Sequence, residues 1–303
     1  MLDFFKRRLW DIEWHVAIRP HVVENTFEKP LSFQVLNNTW RYWCADPFAF
    51  DYQGKTYIFM EVADRLTQKG AIGYRVIDNG KVGPIRICIK TPYHMSYPMI
   101  YTLGNDIYMI PECHESEKLT IYRAAQFPDE WEPVEELLDG HKVCDTNYLR
   151  LNGQEYLLTM PLEGERFRYD TLALYHREES GAWKPCTVNP LVLGAEKARN
   201  AGHFFYHAGT LVRPSQNCGE SYGEKLVLNR VITLNPQDYR EQPMKEISIR
   251  DILVDRGTFD GIHTYNASDS YDVIDLRNEL TFQPARIFYF IRHYFNTYIR
   301  RRR

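Results

Sequence analysis

Apolar and polar residues alternate in short runs over most of the chain, the period-two pattern of half-buried strands. Residues 44–60, CADPFAFDYQGKTYIFM, show the unit: an acid and a proline, an alternating strand, a turn at Gly54 and a second strand from Lys55. The plan returns with Ser96, Tyr97 and Pro98 before a turn at Gly104. It returns again with Cys144, Asp145 and Thr146 before Gly153, and with Asn200, Ala201 and Gly202 before Gly209. The turn glycines stand 50, 49 and 56 residues apart. A repeat of about 40–50 residues built only of short strands predicts a β-propeller, one blade per repeat.

Blade one is expected over residues 40–90, with a third strand, AIGYRVID, ending at the hairpin dipeptide of Asn79 and Gly80. Blades two, three and four follow over 91–138, 140–188 and 193–244. Their third strands also repeat (IGYRV, TIYRA, ALYHR, VLNRV), and Trp131 and Trp183 recur in the fourth strands of blades two and three. A degenerate fifth repeat, IHTYNASDSYDVIDL, supplies two strands without a turn glycine. The expected fold is all-β, a five-bladed propeller over 14–283, with four blades and a linker as the alternative. Strands within 14–36 are expected to complete the last blade and close the ring. Short amphipathic helices are expected at both ends, over 1–13 and 284–303.

Charge changes the picture at those ends. The chain carries −3, yet residues 284–303 hold six arginines and no acid, which leaves −9 on the rest. ARIFYFIRHYFNTYIRRRR spaces Ile287, Ile291, Tyr294, Phe295, Tyr298 and Ile299 helically. Phe4, Phe5, Leu9 and Trp10 accompany Lys6, Arg7 and Arg8 at the other end. Both ends suit peripheral attachment to an anionic membrane surface, against a packed helix with a solvated arginine tail. The acidic body speaks against nucleic acid as a partner. No apolar run is long enough for a membrane-spanning helix, and the N-terminus lacks the apolar core of a secretory signal. Six scattered cysteines without a CxxC pair read as reduced thiols of a cytoplasmic protein, peripheral to the inner face of the cell membrane.

Propeller geometry decides which residues meet. Inner strands start around one mouth of the central channel, so Asp46, Tyr97, Asp145, Asn200 and Asn266 should face one another there. The ends of the next strands add Glu61, Glu112 and Gln216. Asp46, Asp145 and Glu112 are the candidate catalytic carboxylates, because clustered carboxylates separate their pKa values and divide acid from base work. Such a set suits transfer at a sugar anomeric carbon. Arg199 and Arg213 are candidates for donor phosphate, with His94, His203 and His263 near comparable strand starts. Arg–Asp bridges between blades are the structural alternative. His203 and His207 lie too far apart on a strand for a zinc pair, and no P-loop, GxGxxG, GxSxG or HExxH is present.

WCADPFAFDYQGKTYIFMEV, PYHMSYPMIYTLGNDIYMIPE, VCDTNYLRLNGQEYLLT and ARNAGHFFYHAGTLVRPSQNCGESYGEKLVLNRV together resemble one family. It comprises bacterial proteins akin to the N-terminal domain of plant glucosamine inositolphosphorylceramide transferase, similar in turn to the five-bladed propellers of family-43 glycoside hydrolases. In hydrolases of that type the resemblance implies an Asp base in the first blade, a pKa-tuning Asp in a middle blade and a Glu acid in a later one. Asp46 and Asp145 match the first two. Arg199 and Asn200 stand where the acid is wanted, a departure from simple hydrolysis. The resemblance implies sugar or phosphoribosyl transfer from an activated phosphosugar, with a divalent cation allowed for, to a glycan or lipid-linked acceptor in cell-surface polysaccharide or glycolipid synthesis. A furanosidase-like hydrolase and a non-catalytic binding propeller are the alternatives.

Overall fold

The computed structural model describes residues 10–22, 27–162 and 170–294. Five sheets, antiparallel except for the outermost pair of strands in the last, form five blades. Blade one holds β3 (Tyr42–Tyr52), β4 (Lys55–Asp64) and β5 (Lys69–Asp78), edged by β6 (Lys81–Val82) and β7 (Arg86–Ile89). Blade two holds β8 (Ser96–Leu103), β9 (Asp106–Glu112), β10 (Leu119–Gln126) and β11 (Glu130–Leu137). Blade three holds β12 (Val143–Leu151), β13 (Gln154–Pro161) and β14 (Thr171–Arg177), edged by β15 (Trp183–Pro185) and β16 (Leu191–Val192). Blade four holds β17 (Phe205–His207), β18 (Thr210–Asn217), β19 (Lys225–Asn235) and β20 (Asp238–Ser248).

Blade five closes the ring with both ends of the chain. From the axis outwards it runs β22 (Tyr265–Ala267), β23 (Tyr271–Phe282), β1 (Trp10–Pro20), β2 (Leu31–Val35) and β21 (Ile252–Val254). The N-terminal strands therefore do complete the last blade, as the two strands β1 and β2. The closure is polar as well as apolar. Arg65 of blade one reaches Glu13 Oε1 of β1 at 2.5 Å with both side chains buried, and Asn38 donates to the same oxygen at 2.8 Å. Trp10 to Glu13, read from sequence as the end of a helix, begin β1 instead. Residues 1–9 lie outside the described residues. At the other end a helix, α1 (Arg286–Tyr294), forms as the spacing predicts, and residues 295–303 lie outside the described residues.

The repeat pattern maps onto the blades for a local reason. The inner hairpins of blades one, three and four turn on a left-handed pair, Gln53 and Gly54 (φ 49° and 75°), Asn152 and Gly153 (51° and 82°) and Ala208 and Gly209 (47° and 73°), the tight turn whose twist matches antiparallel strands. Inner strands are covered on both faces by neighbouring blades, so β4 is buried throughout 58–64. Outer strands such as β11 are largely open. The apolar core consequently lies between blades. Phe48, Phe59, Tyr74, Met109 and Leu157 belong to one cluster spanning blades one to three. All six cysteines are free thiols.

Candidate functional site at the channel mouth

Three inner strands carry the same defect. In β3, Ala45 pairs with Glu61 and Phe48 with Phe59, so Asp46 and Pro47 oppose Met60 alone. In β8, Tyr97 and Pro98 stand between the Ser96–Glu112 and Met99–Ile110 pairs. In β12, Asp145 and Thr146 stand between Cys144–Met160 and Asn147–Leu158. Each is a β-bulge, and its first residue is left-handed: φ is 49° at Asp46, 43° at Tyr97 and 48° at Asp145. Such conformations in non-glycine residues cost about 1–3 kcal/mol each and collect where a side chain must be re-aimed. The acid–proline motif thus has a physical meaning. Proline fits a bulge because it has no N–H for the ladder, and the bulge turns the preceding carboxylate to the channel.

The bulges place the candidate carboxylates together. Asp46, Glu61, Glu112, Asp145 and Asp275 are all buried at one mouth. Ligand atoms of Asp46, His263 and Asp275 lie within 4.8 Å of one another, and so do those of Glu112, Cys144 and Asp145. Asp275, not read from sequence as a site residue, is the organiser. Its Oδ2 accepts the Asp46 N–H at 2.9 Å, and its Oδ1 accepts those of His263 (3.2 Å) and Thr264 (2.9 Å). Asp46 Oδ2 in turn accepts the Tyr97 N–H at 3.3 Å. His263 stands between the two acids, Nε2 at 3.4 Å from Asp46 and Nδ1 at 2.7 Å from Asp275. Trp14 stacks on its ring at 3.8 Å, and the Tyr222 ring stands beside it at 5.3 Å, nearly perpendicular.

On the opposite side of the mouth Arg199 binds Asp145 and lies over the Tyr222 ring at 4.8 Å. Glu112 hydrogen-bonds both Asp145 and His114, the latter at 2.9 Å. His94 accepts the Gly70 N–H on Nδ1 at 3.0 Å, so its other nitrogen, Nε2, carries the proton of the neutral ring 3.3 Å from Glu61. Glu61 Oε1 is buried with no donor aligned on it. An unmet buried acceptor at a channel mouth is suited to a ligand hydroxyl.

These surroundings spread the acidities. Burial, then Glu112, Asp275 and Asp145, push Glu61 up to about 8. Burial raises Asp46 well above the usual range; His263 opposes this, while Asp275, Glu61 and Asp145 add to it. Asp145 is pushed up to about 7 by burial, with Arg199 opposing and Glu112 adding. Burial works against ionising Glu112, but the His114 hydrogen bond and Arg199 outweigh it, and its pKa is lowered. His114 is raised, chiefly by Glu112. Proton donors and acceptors therefore coexist at neutral pH, the division expected of acid–base catalysts.

Several residues read as substrate-binding support this site from behind. Arg213 is fully buried, holds both Glu241 oxygens (2.8 and 2.7 Å) and donates to the carbonyls of Lys197 and Ala198 and to Asn200 Oδ1. It is a structural cation and has no reach to donor phosphate. Asn200 braces the Asp145 carbonyl at 2.7 Å, and Gln216 braces the Asn200 carbonyl at 3.0 Å. Tyr97 points below the carboxylates, its hydroxyl donating to Asn147 at 3.0 Å and accepting the Gly202 N–H at 2.8 Å. His203 sits in that lower layer beside Phe48 and Asn266, and burial lowers it to about 4, so it stays neutral. This layer plugs the channel beneath the carboxylates. Glu61, His114, Tyr222, Trp14 and Asp275 join the mouth. Glu61 alone had a signal, its place at the end of a second strand.

Residues 35–275 match the family described as glucosamine inositolphosphorylceramide transferase 1, N-terminal. The chain belongs to this family. Similar relatives are glucosamine inositolphosphorylceramide transferase 1 of Arabidopsis thaliana, 31% identical over 203 residues, and of Oryza sativa subsp. indica, 28% identical over 228. The matches cover 65% and 73% of this chain but only 26% and 30% of those proteins, so the family domain spans under a third of their length. Among solved structures, the catalytic domain of the GH62 α-L-arabinofuranosidase of Coprinopsis cinerea superposes with a TM-score of 0.56 at 8% identity, covering 88% of this chain and 97% of that one. A GH43_1 enzyme from Xanthomonas citri gives 0.52 at 10% identity, covering 87% and 90%. At such identities these likenesses show the propeller fold alone.

For this family member, neither cluster of possible ligands is arranged for a metal by itself. Both Asp275 oxygens accept backbone N–H groups and Asp46 Oδ2 does likewise. Burial pushes the Cys144 thiol well above its ordinary value, which keeps it a neutral thiol. A divalent cation here would have to arrive with an anionic ligand supplying the remaining oxygens.

Proposed function

We propose that the domain transfers a glycosyl group from an activated phosphosugar to a hydroxyl of a cell-surface glycan or glycolipid. The convergence at one mouth of carboxyl groups with separated acidities carries this reading. In the reaction the acceptor oxygen bonds to the anomeric carbon as the carbon–oxygen bond to phosphate breaks. Asp46 takes the acceptor proton, and the phosphate leaves with the bonding pair. Burial raises the proton affinity of Asp46, and Asp275 and His263 fix its position. Glu61, protonated near neutrality, donates a hydrogen bond to a sugar hydroxyl. Arg199 and the cationic form of His114 offset the phosphate charge, a role left to them because Arg213 is occupied. The relatives' names support the reaction class by the word transferase, and a glycolipid acceptor by the ceramide they include.

The test is ligand-induced stabilisation followed by turnover. A ligand that binds only the folded chain raises its melting temperature. Phosphosugars, with or without magnesium, are expected to do so, and Arg199→Ala to abolish the shift. Asp46→Asn is expected to keep the shift while transfer falls at least about a hundredfold, the scale of a lost general base. Full transfer by Asp46→Asn removes the base assignment. Stabilisation by neutral oligosaccharides alone, with free sugar released from an aryl furanoside, replaces the proposal with hydrolysis.

A further inference from the structure

Strand direction settles on which face of the propeller the first strand begins and the last one ends. Ser270, just before β23, donates to Asp51 Oδ2 at the far end of blade one (3.0 Å). Five residues later Asp275 meets Asp46 at the mouth. β23 then continues to Phe282, roughly 20 Å of strand beyond the carboxylates on the mouth side. Phe282 pairs with Trp10. The chain therefore enters its first strand and leaves its last at one place, beside the mouth.

α1 follows there. Arg286 is tied to Asp11 at 2.5 Å, and Phe288 meets Trp40 edge-to-face at 6.3 Å. Trp40 is 61% exposed, Phe288 55%, Ile291 48% and Tyr294 58%, a run of large apolar side chains open to solvent. The two segments that continue from this place, residues 1–9 and 284–303, carry nine lysines and arginines and a single acid.

We propose that this face docks on an anionic lipid bilayer. Trp40 and α1 enter the interface, and the channel mouth opens towards the headgroups. Aromatic residues at the rim of a basic helix are the composition that binds such surfaces, and juxtaposed Lys and Arg add long-range attraction. A second copy of the chain is the poorer occupant, because a two-fold contact would bring these like-charged segments face to face. The inference rests on the transfer reading only for its consequence: an acceptor hydroxyl on a glycolipid is then presented to Asp46 without leaving the membrane.

Co-sedimentation of the full chain with vesicles of phosphatidylcholine, alone or mixed with phosphatidylglycerol, tests the docking. Binding is expected to be about tenfold or more tighter on the anionic vesicles, to weaken with salt, and to drop about tenfold in the double variant Phe288→Ser, Ile291→Ser. Brominated lipid is expected to quench tryptophan fluorescence in the wild type and less in Trp40→Phe. Equal binding to both vesicles, no effect of the double substitution, or a dimer that the double substitution dissolves overturns the proposal. Transfer to a water-soluble acceptor is measured alongside. Docking lost with that transfer intact removes the membrane inference alone, and docking intact with no transfer removes the catalytic reading alone.

Discussion

Replacing Arg213 by methionine separates a structural cation from a ligand-binding one. The guanidinium is fully buried and makes five hydrogen bonds, two of them to Glu241, whose side chain is 1% exposed. Methionine fills similar volume but leaves the Glu241 carboxylate buried with only the Tyr239 hydroxyl, 2.6 Å away, as a donor. Removing one partner of a buried pair costs about 3–5 kcal/mol, whereas replacing both by apolar groups is often close to neutral. At about 2 °C per kcal/mol for a chain of this size, the single variant should melt roughly 6–10 °C below wild type. Arg213→Met with Glu241→Leu should recover much of that loss. Arg213 also holds the Lys197 and Ala198 carbonyls, just before the Arg199 that binds Asp145, so phosphosugar binding should weaken only as far as Arg199 is displaced. Urea unfolding of the wild type and both variants, with phosphosugar titration, is the assay. A single variant within about 1 kcal/mol of wild type, or a double variant no better than the single, would refute the structural assignment.

Glu61 supplies a pH signature. Its folded pKa, raised to about 8 from an ordinary 4.5, means that the folded state holds a proton the unfolded chain has lost. This stabilising contribution is complete below about 4.5 and is lost as pH rises towards 8. Asp145 acts in the same sense up to about 7. Urea midpoints of Glu61→Gln should therefore fall less than those of wild type between pH 5 and 8, and parallel profiles would show that Glu61 is ionised throughout. At Gly202 (φ 144°) an added Cβ would lie 2.0 Å from the backbone oxygen of Tyr265. Gly202→Ala should unfold at lower temperature and lose ligand stabilisation together, since Gly202 also closes the Tyr97–Asn147 plug; unchanged melting would mean that the two blades are free to part there.

The repeat, the turn glycines and the closing N-terminal strands were legible because they are local. Period-two alternation sets which face of a strand is buried, and a left-handed turn needs glycine at a fixed place whatever surrounds it. The convergence of Asp46, Asp145 and Glu112 followed from pseudo-symmetry alone, since equal positions in a ring must face one axis. The end of the supposed N-terminal helix did not: Trp10 to Glu13 satisfy helical and strand patterns alike, and only pairing with β23 selects the strand. Nor does sequence distinguish Arg199 from Arg213. Both are arginines in one blade, and the presence of Glu241 on an outer strand decides that one is sealed while the other stands at the mouth. Asp275 and Trp14 owe their places to ring closure between opposite ends of the chain. The sequence by itself determined the strand repeat and the carboxylates at the mouth, while ring closure decided for five blades over four and a linker. Which side chains line the mouth and which brace it from behind, and which proton each holds, was decided by tertiary structure, because desolvation and the nearest opposite charge are properties of neighbours brought together from every blade.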